Sequence, residues 1–211
     1  MTSSGFYHSI QIIGLPVCAY LLGSIPWGLV FTRLFTSVDI RNQGSGNIGA
    51  TNVSRVAGST LGIMTFTGDI LKGALPVFVA VCVFDPHARW VDIYLSAVAL
   101  AAFWGHLYPV FTKFKAGGKG VATTAGCFAV LAPLACLIAL GAFILLLVVS
   151  RYVSVGSMTA AFILPFAVWF STFSTPLTVG AAVMSVFMFL RHRQNIKQLI
   201  NGTEPRFRDR I

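Results

Sequence analysis

The chain has 211 residues, of which 56% are hydrophobic and only 10% charged, with a formal net charge of +9 and a mean hydropathy of +0.81. A soluble domain carries roughly 25% charge to cover its surface, so this composition excludes an ordinary soluble protein and predicts an all-α polytopic membrane protein. Apolar spans break the basic residues into separate groups, so no continuous stripe for nucleic acid is expected.

The N-terminus has no basic n-region and no small-residue cleavage site, and no removable signal peptide is read there. The first apolar segment runs from Ile10 to Phe31. Within it, Pro26 stands near Gly23, Ser24 and Gly28, a combination that predicts a kink and close helix packing. A polar run from Asp39 to Arg55 follows, centred on Gly44-Ser45-Gly46-Asn47. Its glycines allow the backbone to bend around a ligand and turn N–H groups inward. Arg41, Arg55, the hydroxyls and the amides of Asn47 and Asn52 add donors against one carboxylate, Asp39. That is the chemistry of an anion cradle, phosphate being the first choice. A helix beginning near Asn47 would put Asn47, Thr51 and Arg55 on one face, with its free N–H groups towards the anion. The alternative is a solvated loop with a helix cap.

The second apolar segment, Leu61 to Phe84, contains Asp69 and Lys72 three residues apart. Charges inside a membrane are costly and mark function, or else they pair and hold helices together. The sequence His87-Ala88-Arg89-Trp90-Val91-Asp92 fits a His-x-x-x-x-Asp pattern that can supply a general base. It falls across the membrane from every basic motif and reads as chance.

The third segment, Val91 to Phe111, carries Gly105-His106-Leu107-Tyr108-Pro109 at its end. His106 reads as a site residue or as an interfacial one beside Trp104 and Tyr108. Next comes Phe114-Lys115-Ala116-Gly117-Gly118-Lys119-Gly120-Val121, a glycine loop leading into a helix. The spacing Gly-x-x-x-x-Gly-Lys-Ser/Thr is absent, which excludes a Walker A loop and ATP. The fourth segment, Val121 to Val149, exceeds the roughly 20 residues of one crossing and has Pro133 near its middle. Val153 to Phe173 and Leu177 to Leu190 complete the apolar set, and Arg191-His192-Arg193-Gln194-Asn195-Ile196 follows, with Gly202-Thr203-Glu204 beyond. His192 and Asn195 are expected on one helix face. The bland reading of these basic stretches is membrane anchoring. Cys18, Cys82, Cys127 and Cys136 lie in apolar stretches without metal-ligand spacing and are expected to pack as small hydrophobes.

Lys and Arg gather on cytoplasmic loops. They follow the first, third and last segments, whereas Arg89 on the loop between the second and third is offset by Asp85 and Asp92. The N-terminus is therefore expected outside and the C-terminus in the cytoplasm, which requires an odd number of crossings. Six segments become seven when the fourth is divided at Pro133, leaving a short helix near Gly118 to Leu131 that protein or water can shelter. One domain of seven transmembrane helices results, with all three polar motifs on the cytoplasmic side.

Taken in order, Gly23-Ser24-Ile25-Pro26, Gly44-Ser45-Gly46-Asn47-Ile48-Gly49-Ala50-Thr51-Asn52, Asp69-Ile70-Leu71-Lys72-Gly73, Gly105-His106, Gly117-Gly118-Lys119-Gly120-Val121-Ala122-Thr123 and Arg191-His192-Arg193-Gln194-Asn195-Ile196 closely resemble the bacterial acyl-phosphate:glycerol-3-phosphate acyltransferases. The resemblance runs nearly end to end. It implies seven helices in the bacterial inner membrane and transfer of a fatty acyl group from acyl phosphate to the 1-hydroxyl of sn-glycerol 3-phosphate. Lysophosphatidic acid and phosphate are the implied products, with no cofactor, metal, acyl-CoA or acyl carrier protein. It also implies catalytic roles for Ser45, Arg55, Lys119, His192 and Asn195, and a mainly structural one for Glu204. Gly117, Gly118 and Gly120 are implied to help hold glycerol 3-phosphate. One departure is Ala116, which lengthens the family's Phe-Lys-Gly-Gly-Lys-Gly loop by one residue and bears on Lys115 more than on Lys119.

Acyl phosphate is already activated, so positioning and charge stabilisation can carry the reaction. Ser45, Asn47 and neighbouring N–H groups are expected at the acyl-phosphate head, with Gly44, Gly46, Thr51, Asn52, Asp69, Lys72 and His106 also lining the substrate sites. The general base stays open between His192 and an oxygen of the departing phosphate. Ser45 has no sequence neighbour to activate it as a nucleophile. The rival classes are a transporter or flippase of a phosphorylated metabolite and a non-catalytic lipid-binding scaffold. Oligomeric state, acyl-chain preference and regulators are not legible in the sequence.

Overall fold

A computed structural model describes residues 3–115 and 117–207, with side chains from residue 12 onward. Ala116, the extra residue of the glycine loop, lies outside the described residues. The regular secondary structure among the described residues is helical, in the order α1 (Ser3–Gly23), α2 (Trp27–Phe35), α3 (Ala50–Ala57), α4 (Ser59–Val83), α5 (Val91–Leu107), α6 (Val121–Leu131), α7 (Pro133–Ser150), α8 (Val153–Thr172), α9 (Thr175–Arg191) and α10 (Arg193–Ile200). Among the described residues, four stretches are long and apolar enough to cross a membrane: α4, α5 with the 3-10 turn that extends it to Thr112, α7 and α8. The α1–α2 pair makes a fifth, bent by 44° at residues 24–26. The kink expected at Pro26 is thus a full break, where the prolyl nitrogen has no N–H to add to the ladder, whereas Pro76 and Pro165 stay inside α4 and α8. Pro133 marks another break, between α6 and α7, where it starts the second helix.

Helix α7 shows which solvent this fold is built for. Only Ala135 and Ala139 of it are buried, while Leu137, Leu145, Val148 and Val149 stand outward. An apolar surface of this extent belongs in lipid. Cys18 and Cys82 also lie on outer faces, contrary to the expected core packing. Their segments are lipid-facing on that side, so an apolar context does not entail burial inside the protein. Cys127 is buried as expected.

The protein core runs along α5, where Val98, Ala102, Phe103 and Leu107 are all fully buried. Helices α4 and α6 touch backbone to backbone. A Cβ on Gly73 would strike the Thr123 carbonyl oxygen, and one on Gly126 would strike that of Ile70. Small residues permit this approach where lipid gives helices no hydrophobic drive to associate. A smaller apolar cluster of Leu29, Ile40, Ile48, Val53 and Leu61 pins the polar loop from below.

Charge is also buried here. Lys72 Nζ lies 2.8 Å from Asp69 Oδ1, both side chains being under a tenth exposed. The same ammonium donates to the Ile25 carbonyl at 2.9 Å, an oxygen at the break between α1 and α2. The pair therefore joins the broken first span to α4. Removing one member leaves an uncompensated buried charge, at a cost of about 3–5 kcal/mol. We expect Lys72→Met to lower the thermal midpoint of the detergent-solubilised protein strongly, and the double variant Asp69→Asn/Lys72→Met to recover most of the loss. Equal midpoints for the single and double variants would show that the pair is not coupled.

Candidate active site

The polar loop 39–49 is held by one side chain. Asn52, almost fully buried, accepts the Ser45 N–H at 2.9 Å. Its amide nitrogen donates to the carbonyls of Ile40, Gln43 and Asn47 at 3.1, 3.2 and 2.9 Å. Its hydrogen-bonding capacity is spent inside the loop, which gives it a shaping role. Gly44 and Gly46 take positive φ, 60° and 67°. These turns delay the helix: α3 starts at Ala50, not near Asn47. Thr51 and Arg55 share that helix, while Asn47 precedes it and accepts the Gly49 N–H at 2.8 Å.

The glycine loop 117–120 is clamped just as closely. Gly118 N–H donates to the His106 carbonyl at 3.1 Å. A Cβ on Gly118 would fall on the His106 ring, so only glycine fits against it. Arg191, which the sequence did not single out, holds the other side: Nε donates to the Gly118 carbonyl at 3.0 Å and Nη2 to the Leu107 carbonyl at 3.1 Å. Its guanidinium also lies 5.6 Å from the Tyr108 ring centre.

His192 is not inside a helix with Asn195. It stands at the junction of α9 and α10, where the chain turns at the end of the apolar segment. Both residues still face the same cavity. Lys119 Nζ donates to Asn195 Oδ1. Asn195 Nδ2 donates in turn to both Glu204 oxygens, at 2.7 and 3.0 Å. Arg55 Nη2 donates to the Pro205 carbonyl at 3.1 Å, tying α3 to the same tail.

Together these elements enclose a cavity of about 230 Å³. Ser45, Arg55, Lys119, His192 and Asn195 all line it, and so do Gly44, Asn47, Thr51, Asn52 and Gly120. Asp69 and His106 reach it from the buried charge cluster, His106 Nδ1 lying 3.7 Å from Asp69 Oδ1. Lys72 and Gly118 do not line it, and Gly46 and Gly117 lie on a neighbouring groove. Ser154 and Ser157 of α8 line it unannounced by any motif, Ser154 with a buried hydroxyl that has no hydrogen-bond partner among the described residues. Gln198 and Glu204 line it as well, and an apolar wall comes from Phe66, Val121, Phe143 and Val153. Among the described residues no group of three or more His, Cys, Asp or Glu is placed to hold a metal. Neither His87 nor Asp92 lines this cavity; the His87 backbone N–H donates to Asp85 and Asp92 accepts from Ser174 at 2.6 Å.

The electrostatics suit a dianion. Burial pushes the Lys119 ammonium down to about 8, with Arg55 and Arg191 adding to the effect and Glu204 opposing it. Burial pushes His192 down to about 4, reinforced by the Lys119 charge. His192 is therefore neutral at neutral pH. Its Nδ1 lies 2.8 Å from the Met188 carbonyl, which can only accept. The ring proton therefore sits on Nδ1, and Nε2 carries the lone pair.

The glycerol-3-phosphate acyltransferase family profile matches residues 13–202 of the chain. The glycerol-3-phosphate acyltransferase of Syntrophotalea carbinolica is 52% identical over 192 residues, covering 91% of this chain and 95% of that one. That of Trichlorobacter lovleyi is 48% identical, covering 90% and 94%. Among solved structures, the glycerol 3-phosphate form of PlsY, an integral membrane glycerol 3-phosphate acyltransferase, superposes with a TM-score of 0.87 at 38% identity, covering 93% of this chain and 95% of that one. Its lysophosphatidic acid form gives 0.84 at 37%, with the same coverage. With its family profile matched almost end to end and relatives near half identity, this chain belongs to the glycerol-3-phosphate acyltransferase family.

Proposed function

We propose that the chain transfers a fatty acyl group from acyl phosphate to the 1-hydroxyl of sn-glycerol 3-phosphate, giving lysophosphatidic acid and phosphate. The observation that carries this reading is the meeting of Ser45, Arg55, Lys119, His192 and Asn195, from three separate stretches of chain, around one cavity. Its basic side suits two phosphate groups, and its apolar wall of Phe66, Phe143 and Val153 suits an acyl chain. Its single-domain body lies in the inner membrane, N-terminus outside, with the cavity and C-terminus on the cytoplasmic side. The five long apolar spans together with the short helices α6 and α9 support seven crossings.

In the reaction, the 1-hydroxyl oxygen of glycerol 3-phosphate attacks the acyl carbonyl carbon. The tetrahedral intermediate collapses with cleavage of the bond to the phosphate oxygen, and phosphate leaves with the electron pair. Ser45 and the N–H groups of its loop hold the acyl-phosphate head. Arg55 and Lys119 stabilise the growing negative charge, in a site where low solvation strengthens each contact. The hydroxyl proton passes to His192 Nε2. Ser45 is a binding group here, since among the described residues its hydroxyl has no basic hydrogen-bond partner.

Purified protein in detergent, given acyl phosphate and glycerol 3-phosphate, is expected to release phosphate and form lysophosphatidic acid. Absence of both products from a folded sample would refute the reading, and a transporter would release no phosphate without a second compartment. His192→Gln, if it folds normally, should lose about 100-fold or more in kcat, the usual contribution of a general base. Turnover near that of the wild type would instead assign the proton to an oxygen of the departing phosphate.

The pH profile supplies a further check. Lys119 loses its charge as pH rises through about 8, so kcat/KM should fall above that pH while neutral conditions keep it protonated. An arginine stays charged far beyond this range. In Lys119→Arg the residual activity should therefore lack the alkaline limb. A limb unchanged in that variant would rule out Lys119 as its source.

A further inference from the structure

A larger groove, about 910 Å³, opens beside the reacting cavity, and Ser45 and Asn47 line both. Its cations come from four parts of the chain. Arg33 ends α2, Arg41 lies in the next loop, Lys113 and Lys115 follow α5, and Arg191 and Arg193 flank the α9–α10 junction. No carboxylate lines it among the described residues. Arg41 is paired with Asp39 at 2.7 Å, whereas Arg33, Lys113, Lys115 and Arg193 form no ion pair among the described residues.

Membrane topology explains basic loops, but it does not require loops from four stretches to converge on one concavity. Clustered like charges repel, and a bound anion offsets that repulsion. The groove also has an apolar side, with Leu29, Phe111, Phe187 and Leu190. Of these, Phe111 is 62% exposed and Leu190 55%. Cations facing exposed apolar side chains match an amphiphile, its headgroup on one wall and its chain on the other. Free phosphate would use the cations alone. A phosphomonoester, with two charges and three terminal oxygens, makes fuller use of guanidinium groups than a diester does.

We propose that this groove is an ancillary site for the phosphomonoester headgroup of a membrane lipid, adjoining the cavity where acyl transfer occurs and sharing Ser45 and Asn47 with it. The site is coupled to that cavity through Arg191, which lines the groove while holding the Gly118 carbonyl next to Lys119. An anion that draws on Arg191 therefore acts on the loop that carries Lys119.

The test uses the full chain in phosphatidylcholine nanodiscs, with dioctanoyl phosphatidate, dioctanoyl phosphatidylglycerol or inorganic phosphate added and bound lipid counted by native mass spectrometry. Phosphatidate should be retained in preference to phosphatidylglycerol and should resist competition by equimolar phosphate. The triple variant Lys113→Gln/Lys115→Gln/Arg193→Gln should bind phosphatidate about tenfold more weakly or worse, as expected for losing three surface cations. Its turnover without added phosphatidate should stay within about twofold of wild type; if the triple variant does not fold, Arg193→Gln alone carries the comparison. Equal retention of the two lipids, displacement by equimolar phosphate, or unchanged binding in the variant would each overturn the proposal. The last result would place phosphatidate in the reacting cavity. A wild-type protein that binds phosphatidate but turns over no acyl phosphate would sink the enzymatic reading and leave this one standing.

Discussion

Lys119 reaches the cavity as a desolvated cation, and a neutral amide rather than a carboxylate receives it. Asn195 accepts from the ammonium and hands its own N–H to Glu204. Had Glu204 met Lys119 directly, the ion pair would have cancelled much of the charge that an incoming phosphate needs. The amide instead fixes the ammonium, keeps its charge, and occupies the carboxylate oxygens. Three separate segments are joined in doing so: the glycine loop, α10 and the C-terminal tail. The cavity exists only while these segments stay together, so the chain of contacts is structural and electrostatic at once.

The same economy appears one layer deeper. A buried Asp69–Lys72 pair is costly in an apolar bundle, and replacing such pairs with hydrophobic residues is often neutral for stability. Here the pair does something an apolar pair cannot. Lys72 satisfies a carbonyl freed by the Pro26 break, while Asp69 stands beside His106 at the cavity floor. His106 in turn supports Gly118 through both its ring and its carbonyl. The line from a broken span to the lysine loop thus runs through four contacts, and at the last of them, His106 against Gly118, there is no room for another side chain.

The sequence displayed the parts of this site but not its joints. Glycine runs, arginines and the Asn195 amide are visible as motifs, and convergence follows from their common side. Asn52 looked like one more donor, whereas its geometry spends every polar atom within the loop; only coordinates distinguish a ligand from a brace of the same chemistry. Arg191 reads as an anchoring cation because its partners are backbone carbonyls, which leave no mark in sequence. Ser154 and Ser157 sit in an apolar helix with no neighbouring motif, so their approach to the cavity depends on how α8 is rotated. The Pro26 and Pro133 breaks were only partly legible: a missing N–H is a local covalent fact, but Pro16, Pro76 and Pro165 lack one too and stay inside α1, α4 and α8. The position of His192 at a helix junction depended on longer-range packing.

The two concavities divide the electrostatic task by depth. Exposed cations such as Lys113 and Arg193 act through water and salt, where a charge is screened within about 8 Å at physiological ionic strength. Each contributes little alone, and their effect comes from clustering. Lys119 lies deeper, where burial has already shifted its pKa, and there the same unit charge interacts far more strongly with a phosphate that has shed water. A deep site built entirely of such cations would repel itself apart. Placing most of the charge at the rim and a few braced donors inside allows the bundle to remain folded while its interior stays ready for a dianion. Asn52, Asn195 and the glycine backbones are neutral, and this explains why so much of the lining consists of amides rather than further lysines.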